Sequence, residues 1–351
     1  MAGAAGRAAW HREAVEVQQV DARDERALAA WHAVLQASER EMWPDRTGFA
    51  LRDAHAFARH TGTSRRFVQL AASEPGGPVL GVGVMELPML DNRHAVDVTI
   101  AVHPARRRRG VGTALVEEMT RRAAFDGRTV LNSVVDVPVA VADAHPSAPF
   151  ARRVGFTATL LGNTRYLSVP LAAERMDELH RVVASVRDAR GYRVLTFVAP
   201  WPAEYVEDQC ELARRMSTDE PAGDGAHEEE VWDARRIAED DELMRARGLW
   251  KLAAVAQHVT TGRLVAFSEL LLAPDAPAEA WQMATLVHPQ HRGHRLGLAV
   301  KLANLAALAE SAPLVRRIVT GNAGVNAPMI AVNDLMGFEV VGSGHFWQKP
   351  V

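Results

Sequence analysis

Apolar and polar residues alternate over 14–20, as a strand requires, and recur at helical spacing over 24–37 behind an acidic start and again over 51–60. Strand patterns follow at 67–72, 79–87 and 95–102, separated by turn signals at Glu74-Pro-Gly-Gly-Pro78 and Asp91-Asn92. The spacing then predicts a helix over 112–125 ending near Gly127, a β-branched strand over 129–137, and a short helix over 147–154 stopped by Gly155. Two strands, 156–161 and 165–169, are expected to close the unit. A strand-rich start with a βαβ crossover in the middle predicts an α/β fold, a mixed sheet with helices on both faces.

The same plan recurs after a connecting helix predicted over 171–190, in which Leu171, Met176, Leu179, Val182, Val183 and Val186 fall three to four residues apart. Strand 193–198, helices 204–216 and 232–248, and strands 252–258, 264–272 and 281–287 lead into helix 298–310. Strand 315–320, helix 327–336 and strands within 338–347 complete the copy. Glu86 and Glu269, Pro104 and Pro289, and Gly155 and Gly337 stand at nearly one offset, as an internal repeat demands. With 351 residues the chain can bury two cores, and the expected division is 13–170, a connector 171–190, and 191–351.

Charge narrows the partners. Forty Lys and Arg against 43 Asp and Glu leave a net charge of −3, so no overall field draws the chain to nucleic acid or an anionic membrane. Cys210 is the single cysteine, which excludes an intrachain disulfide and a cysteine-based zinc site and points to a reducing cytoplasm; a buried structural role is expected for it. No apolar run approaches the ~20 residues that span a bilayer, and 1–12 reads as a frayed leader. His103 and His288 are expected to face solvent, and His258, His294 and His345 to be too scattered for a metal set, so no metal is expected. A monomer or homodimer fits this composition.

The most specific pattern is written twice: Val102-His-Pro-Ala-Arg-Arg-Arg-Arg-Gly-Val-Gly-Thr-Ala-Leu115 and Val287-His-Pro-Gln-His-Arg-Gly-His-Arg-Leu-Gly-Leu-Ala-Val300. Each places a Gly/Arg loop between a strand and a helix. The first helical turn has N–H groups without intrahelical partners and carries partial positive charge, so the loop can wrap a pyrophosphate. A run of four arginines alone is more often a solvated face.

Strand, Val-x-Pro-x-x-Arg-x-x-Gly-x-Gly, helix, strand, and a short helix ending in Gly-Phe resembles the GNAT superfamily of acetyl-CoA-dependent N-acetyltransferases, and its second-half version resembles a tandem actinomycete-type group. The resemblance implies two tandem GNAT domains, each a mostly antiparallel twisted sheet splayed between its fourth and fifth strands, with acetyl-CoA as cosubstrate. In the first half Arg107, Arg108, Arg109, Gly110, Val111, Gly112 and Thr113 match the pyrophosphate loop without departure. In the second, Arg292, Gly293, His294, Arg295, Leu296 and Gly297 match except that Arg295 replaces a glycine. Backbone N–H groups of Ile100, Ala101 and Val102, and of Leu286 and Val287, would lie beside the acyl group. Asn326 would bond the pantetheine arm, where the first half has Ala144. The proton-donating Tyr of many members is replaced by Ala151 and Asn333, and only the Asn amide can hydrogen-bond sulfur.

Direct attack of an amine on a thioester needs a base. The matched pair Glu86 and Glu269 are the first candidates, since burial would raise their pKa, although an edge-strand Glu can simply face solvent. Asp97 and Asp136 stay in contention. The acidic stretch 219–230 either attracts a cationic acceptor or favours the start of the following helix. Trp43, Trp201, Tyr205 and Trp232 either line an acceptor pocket or pack in the core. The expected function is acetylation of a small-molecule primary amine, with the second half catalytic. Acetylation of a protein N-terminus or lysine, and a non-catalytic CoA-binding sensor, are the alternatives.

Overall fold

Asp24 caps the first helix, its carboxylate accepting from the N–H groups of Arg26 and Ala27. The computed structural model describes residues 15–186, 191–219 and 228–351, so the leader 1–12, the end of the connector (187–190) and most of the acidic stretch (220–227) lie outside the described residues. The first half runs β1 (Glu16–Gln19), α1 (Glu25–Met42), α2 (Leu51–Ala58), β2 (Arg65–Ser73), β3 (Val79–Pro88), β4 (Ala95–Val102), α3 (Val111–Phe125), β5 (Val130–Pro138), α4 (Ser147–Arg153) and β6 (Thr157–Ser168). After α5 (Ala173–Ala184) come β7 (Tyr192–Val198), α6 (Val206–Asp219), α7 (Ala234–Ala246), β8 (Trp250–His258), β9 (Leu264–Leu272) and β10 (Glu279–Val287). The chain ends with α8 (Leu296–Ser311), β11 (Arg317–Ala323), α9 (Ala327–Met336) and β12 (Glu339–Pro350).

The periodicity places these elements to within a few residues but divides two long strands, and those expected within 338–347 are one, β12. The two strands expected at 156–161 and 165–169 are a single strand, β6, and the first half does not close its own sheet. The twelve strands among the described residues form one sheet in the order β1-β2-β3-β4-β5-β12-β6-β11-β10-β9-β8-β7. Thus β12, the last strand of the chain, fills the place between β5 and β6, from Gly342↔Pro138 to Pro350↔Val130. In return β6 fills the place between β11 and β12, from Arg317↔Ser168 to Ala323↔Gly162. Gly162 looks like a turn residue in sequence, yet a Cβ there would meet the Asn322 carbonyl oxygen at 2.8 Å, so it permits close strand approach.

The exchange carries core side chains with it. Trp347 of β12 is 1% exposed inside the first half's core with Leu115, Met119 and Leu131, and Leu167 of β6 is buried in the second half's core with Leu298, Ile318 and Phe338. A buried Trp is worth about 3–5 kcal/mol on truncation, comparable to much of a domain's net stability. Residues 191–351 expressed alone are therefore expected to be unfolded by circular dichroism, and co-expression with 1–190 to restore the fold. A cooperatively folding isolated half would contradict this interlock.

Each half splays where the fold requires it. β4 and β5 pair in parallel only from Ala95↔Val130 to Asp97↔Asn132, and β10 and β11 only from Glu279↔Arg317 to Trp281↔Val319, after which the strands part. α1 packs against Val82 and Ala101 on one face while α3 and α4 cover the other. α6 packs over Ala253, Val255 and Phe267, and α8 lies on the opposite face with α5 and α9. Polar ties bind the halves: Glu239 of α7 accepts from Thr63 N, Thr63 Oγ1 and Ser64 N at 2.8–2.9 Å, and Arg247 pairs with Asp53 at 2.8 Å.

Candidate active site

Both Gly/Arg loops have the same backbone but distribute glycine differently. Two positions in each are left-handed: Arg108 (φ 65°) and Gly110 (φ 86°) in the first, Gly293 (φ 85°) and Arg295 (φ 58°) in the second. Each loop thus holds one glycine and one arginine in αL, at a cost of about 1–2 kcal/mol for the arginine, and Arg295 does not break the pattern. Neither following helix has a side-chain cap at its N-terminus. The N–H groups of the first turn, including Leu296 and Gly297 in α8 and Val111 and Gly112 in α3, are thus not taken by a capping side chain. The Val111 and Leu296 side chains are buried in the core, whereas Arg108, Arg109 and Arg295 are exposed. Thr113 follows Gly112 on α3 and is half-buried.

Arg107 and Arg292 turn away from an anion site. Arg107 Nε donates to the Val102 carbonyl at 3.3 Å and Arg292 Nε to that of Val287 at 3.2 Å, while their outer nitrogens pair with Glu41 at 2.5 Å and Asp219 at 2.6 Å. These arginines brace the loops. They also show which strand edge faces the splay. His103 N bonds Leu80 O and His288 N bonds Val265 O, so by antiparallel alternation Val102, Ile100 and Val287 turn their backbone groups to the splay. Ala101 and Leu286, expected there, turn theirs to β3 and β9.

The two clefts differ in access. A Cβ on Gly112 would meet the Phe150 ring at 2.9 Å, so this aromatic of α4 lies over the first turn of α3 beside Val102. A Cβ on Gly297 would meet only Val287, at 3.6 Å. An aromatic ring thus lies against the first turn of α3, and none takes that place at Gly297.

The strands differ too. β4 pairs with β3 without a break from Gly81↔Val102 to Glu86↔Asp97, whereas the β10 register shifts between Gln282 and Thr285, leaving Met283 and Ala284 outside the ladder with β9. Such a bulge redirects backbone groups next to active sites. Gln282 pins it: its Nε2 donates to Ser268 Oγ at 3.0 Å and to the Glu269 carbonyl at 2.9 Å.

Behind the bulge opens a cavity of about 440 Å³. Trp201, Trp232, Phe267 and Ala284 line it, together with Leu160 of β6 and Phe346 of β12, so the exchanged strands complete its wall. Its charged groups are Glu230, Asp240, Asp241, Glu269 and Lys251. Glu269 accepts from Trp201 Nε1 at 3.1 Å and lies 3.9 Å from Lys251 Nζ, which is 3.2 Å from Asp240 and 3.7 Å from Asp241. Burial drives the Glu269 pKa above its ordinary 4.5, with Lys251 and Trp201 opposing. Burial raises Asp241 as well. Burial works against Lys251, but Glu269, Asp240 and Asp241 hold it up at about 12, so it is charged.

Glu86, the matched candidate, is not in the apolar surround expected of it: its side chain is 35% exposed and pairs with Arg65 at 3.0 Å, and Arg65 also reaches Asp240 at 3.5 Å. Asp136 is held by Arg46 at 2.7 Å. Asn333 is fully buried with its amide nitrogen on Asn322 Oδ1 at 2.6 Å, and Asn326 caps α9 through Met329 N at 3.3 Å. Trp201 and Trp232 line the cavity, while Trp43 stacks under Arg46 and Tyr205 on Phe197. In the acidic stretch, Asp219 pairs with Arg292 and Glu230 with Arg236, while Asp219, Glu228 and Glu229 are exposed. Cys210, expected to be buried, is half-buried, and desolvation raises its thiol pKa.

His103 and His288 are half-buried, not solvent-facing, and each accepts from the N–H two residues on. His258 and His294 are not scattered: with His291 they surround Tyr192. No group among the described residues is arranged to hold a metal, and none of the described helices is long and apolar enough to cross a membrane. Lys251, Asp240, Asp241 and Gln282 were not singled out in the sequence. The polar Gln and Ser facing each other within apolar strands were the available signal.

The family model for the acetyltransferase (GNAT) family matches residues 28–156. A mycothiol acetyltransferase of Saccharomonospora viridis is 31% identical over 252 residues, 69% of this chain and 70% of its own. Among solved structures, a tandem GNAT protein from the clavulanic acid biosynthesis pathway superposes with a TM-score of 0.77 at 28% identity, covering 96% of this chain and 98% of that one. A GCN5-related N-acetyltransferase from Sphaerobacter thermophilus shares the fold, with a TM-score of 0.58 at 13% identity over 96% and 95% of the two chains. The chain therefore belongs to the GNAT acetyltransferase family, whose members use acetyl-CoA, and is an N-acetyltransferase of the tandem kind.

Proposed function

We propose that the second half is catalytic and transfers the acetyl group of acetyl-CoA to the primary amine of a small cationic molecule by direct attack. The observation that carries this reading is the buried Glu269 carboxylate on a cavity that meets the β10 bulge. The first-turn amides of α8 at Leu296 and Gly297 suit the pyrophosphate. The backbone at Met283 and Ala284, freed from β9, is placed to polarise the thioester carbonyl. A preorganised donor of this kind is typically worth about 10²- to 10³-fold.

Glu269 takes the proton of the attacking nitrogen. A pKa raised towards neutrality makes it a better base at working pH than an exposed carboxylate. Four carboxylates against one lysine give the cavity a negative balance that draws a cationic amine. The volume suits a small molecule, and walls from α6, α7 and both exchanged strands favour such an acceptor over a peptide. What carries over from the 31% identical relative is acetyl transfer; the acceptor is read from the cavity.

The test is thiol release from acetyl-CoA with a panel of amines. Release with cationic primary amines supports the reading, and binding without release from any amine overturns it. Cofactor stoichiometry tests the choice of half. Calorimetry is expected to give one acetyl-CoA per chain, and Phe150→Ala to open a second, weaker site. Two sites in the unmodified protein would contradict the role given to Phe150.

A further inference from the structure

Lys301 is the most anomalous side chain in the second half. It is 2% exposed, yet its amine makes no hydrogen bond or ion pair among the described residues, and Nζ lies 5.4 Å from the centroid of the Phe338 ring. A buried amine without an acceptor opposes folding, so apolar substitution should have been favoured by stability alone. The first half does that: by the alignment of Gly112 with Gly297, the position of Lys301 is Val116, buried at 2%. The amine is present only in the second half.

Its location follows from the helix and its neighbours. Lys301 lies four residues after Gly297, on the same face of α8, and Asn304, three residues further, bonds the Ser268 carbonyl of β9 at 2.9 Å. Phe338 belongs to the cluster that contains Ala280 and Ile318, which form a rung next to the point where β10 and β11 part. The amine therefore lies at the closed end of the splay, on the α8 side of the sheet. Glu269 serves the cavity on the α6 side. Asn333, at the family's Tyr position, adjoins the same ring: its carbonyl accepts from Phe338 N at 2.9 Å, and its buried side-chain Oδ1 has no partner. A donor and an acceptor without partners thus flank Phe338.

We propose that Lys301 supplies the proton to the departing sulfur, doing with an ammonium what a tyrosine hydroxyl does elsewhere. This rests on the reading of the second half as catalytic. The attacking nitrogen forms the N–C bond, the C–S bond breaks with its electron pair going to sulfur, and Lys301 transfers an N–H proton to that sulfur. Glu269 holds the proton lost by the nitrogen. Exchange with solvent returns Lys301 to the ammonium and Glu269 to the carboxylate, leaving an acetylated amine and a thiol. Asn333 Oδ1 can accept the new S–H. Burial alone, with no charged neighbour contributing, pushes the Lys301 amine down to about 7, so near neutral pH it gives up a proton that an ordinary lysine keeps.

The test is Lys301→Met, which preserves volume and removes the burial penalty, so Tm is expected to stay level or rise. The expected result is a loss of about 10²-fold in kcat with little change in KM for acetyl-CoA. The loss should shrink with an acetyl aryl thioester, whose thiolate leaves without protonation. A second readout needs no turnover: the thiolate absorbance of bound coenzyme A should titrate at lower pH in the unmodified protein than in Lys301→Met. Equal thiol titration in the two proteins, unchanged kcat, or acetyl groups found on Lys301 itself would overturn the proposal. Absence of turnover in the unmodified protein with every amine would instead remove the functional reading, and the thiol titration would still decide the placement of Lys301.

Discussion

Glu269→Gln is expected to lower kcat by about 10²- to 10⁴-fold, the range of one general base, while leaving acetyl-CoA binding unchanged. Glutamine keeps an oxygen for the Trp201 N–H, and Lys251 keeps Asp240 and Asp241, so the cavity retains its shape. The pH profile makes the result specific. A base must be deprotonated to act, and burial holds Glu269 above 4.5, so activity of the unmodified protein should rise with pH through that raised pKa. The variant should lose this limb. For stability the sign is opposite: a carboxylate whose folded pKa is raised costs the fold as pH climbs from 4.5 through the raised value, so the variant should not melt earlier at neutral pH. An equal loss at every pH with a lowered Tm would mark Glu269 as structural.

Gly297→Asp should have the larger effect on cofactor affinity. A carboxylate about 4 Å from a pyrophosphate charge costs about 4 kcal/mol at an effective dielectric of 20, a factor of about 10³. The fold should tolerate the change, because Gly297 is not among the positive-φ glycines, a Cβ has room, and an acidic residue suits the first turn of a helix. Gly110→Asp in the first loop should change turnover by only a few-fold, although its φ of 86° makes the substitution strained. Thermal melts separate the two effects: Gly110→Asp lowers Tm, whereas Gly297→Asp lowers affinity. The reverse ranking in affinity would move the active site to the first half.

Much of this was legible because the signals were local. Strand and helix periods, the two Gly/Arg loops and the repeated Gly-Phe ends depend on neighbours in sequence. The exchange of β6 and β12 did not, since Gly162 reads as a turn until another backbone lies 2.8 Å from where its Cβ would be. Glu86 and Glu269 stand at nearly the loop offset in sequence, yet the ladders separate them: Val102 pairs with Gly81 and Val287 with Ala266, which sets Glu269 against Val84, and Arg65 reaches Glu86 while Trp201 covers Glu269. Arg295 looked like a defect until Gly293 proved to occupy the companion αL position. Lys301 reads as an ordinary helical lysine, and only tertiary packing buries it, with the Phe338 ring near its amine. Chemistry that depends on burial is set by tertiary contacts, which no periodicity encodes.

The central claim is that the second half's splay, and not the first's, receives the cofactor. A crystal structure with coenzyme A tests it directly. The account predicts the pyrophosphate on the amides of Leu296 and Gly297, the sulfur between β10 and β11 near Phe338, and no ligand under Phe150. Coenzyme A seated on Gly112 with Phe150 displaced, and the second cleft empty, would contradict it.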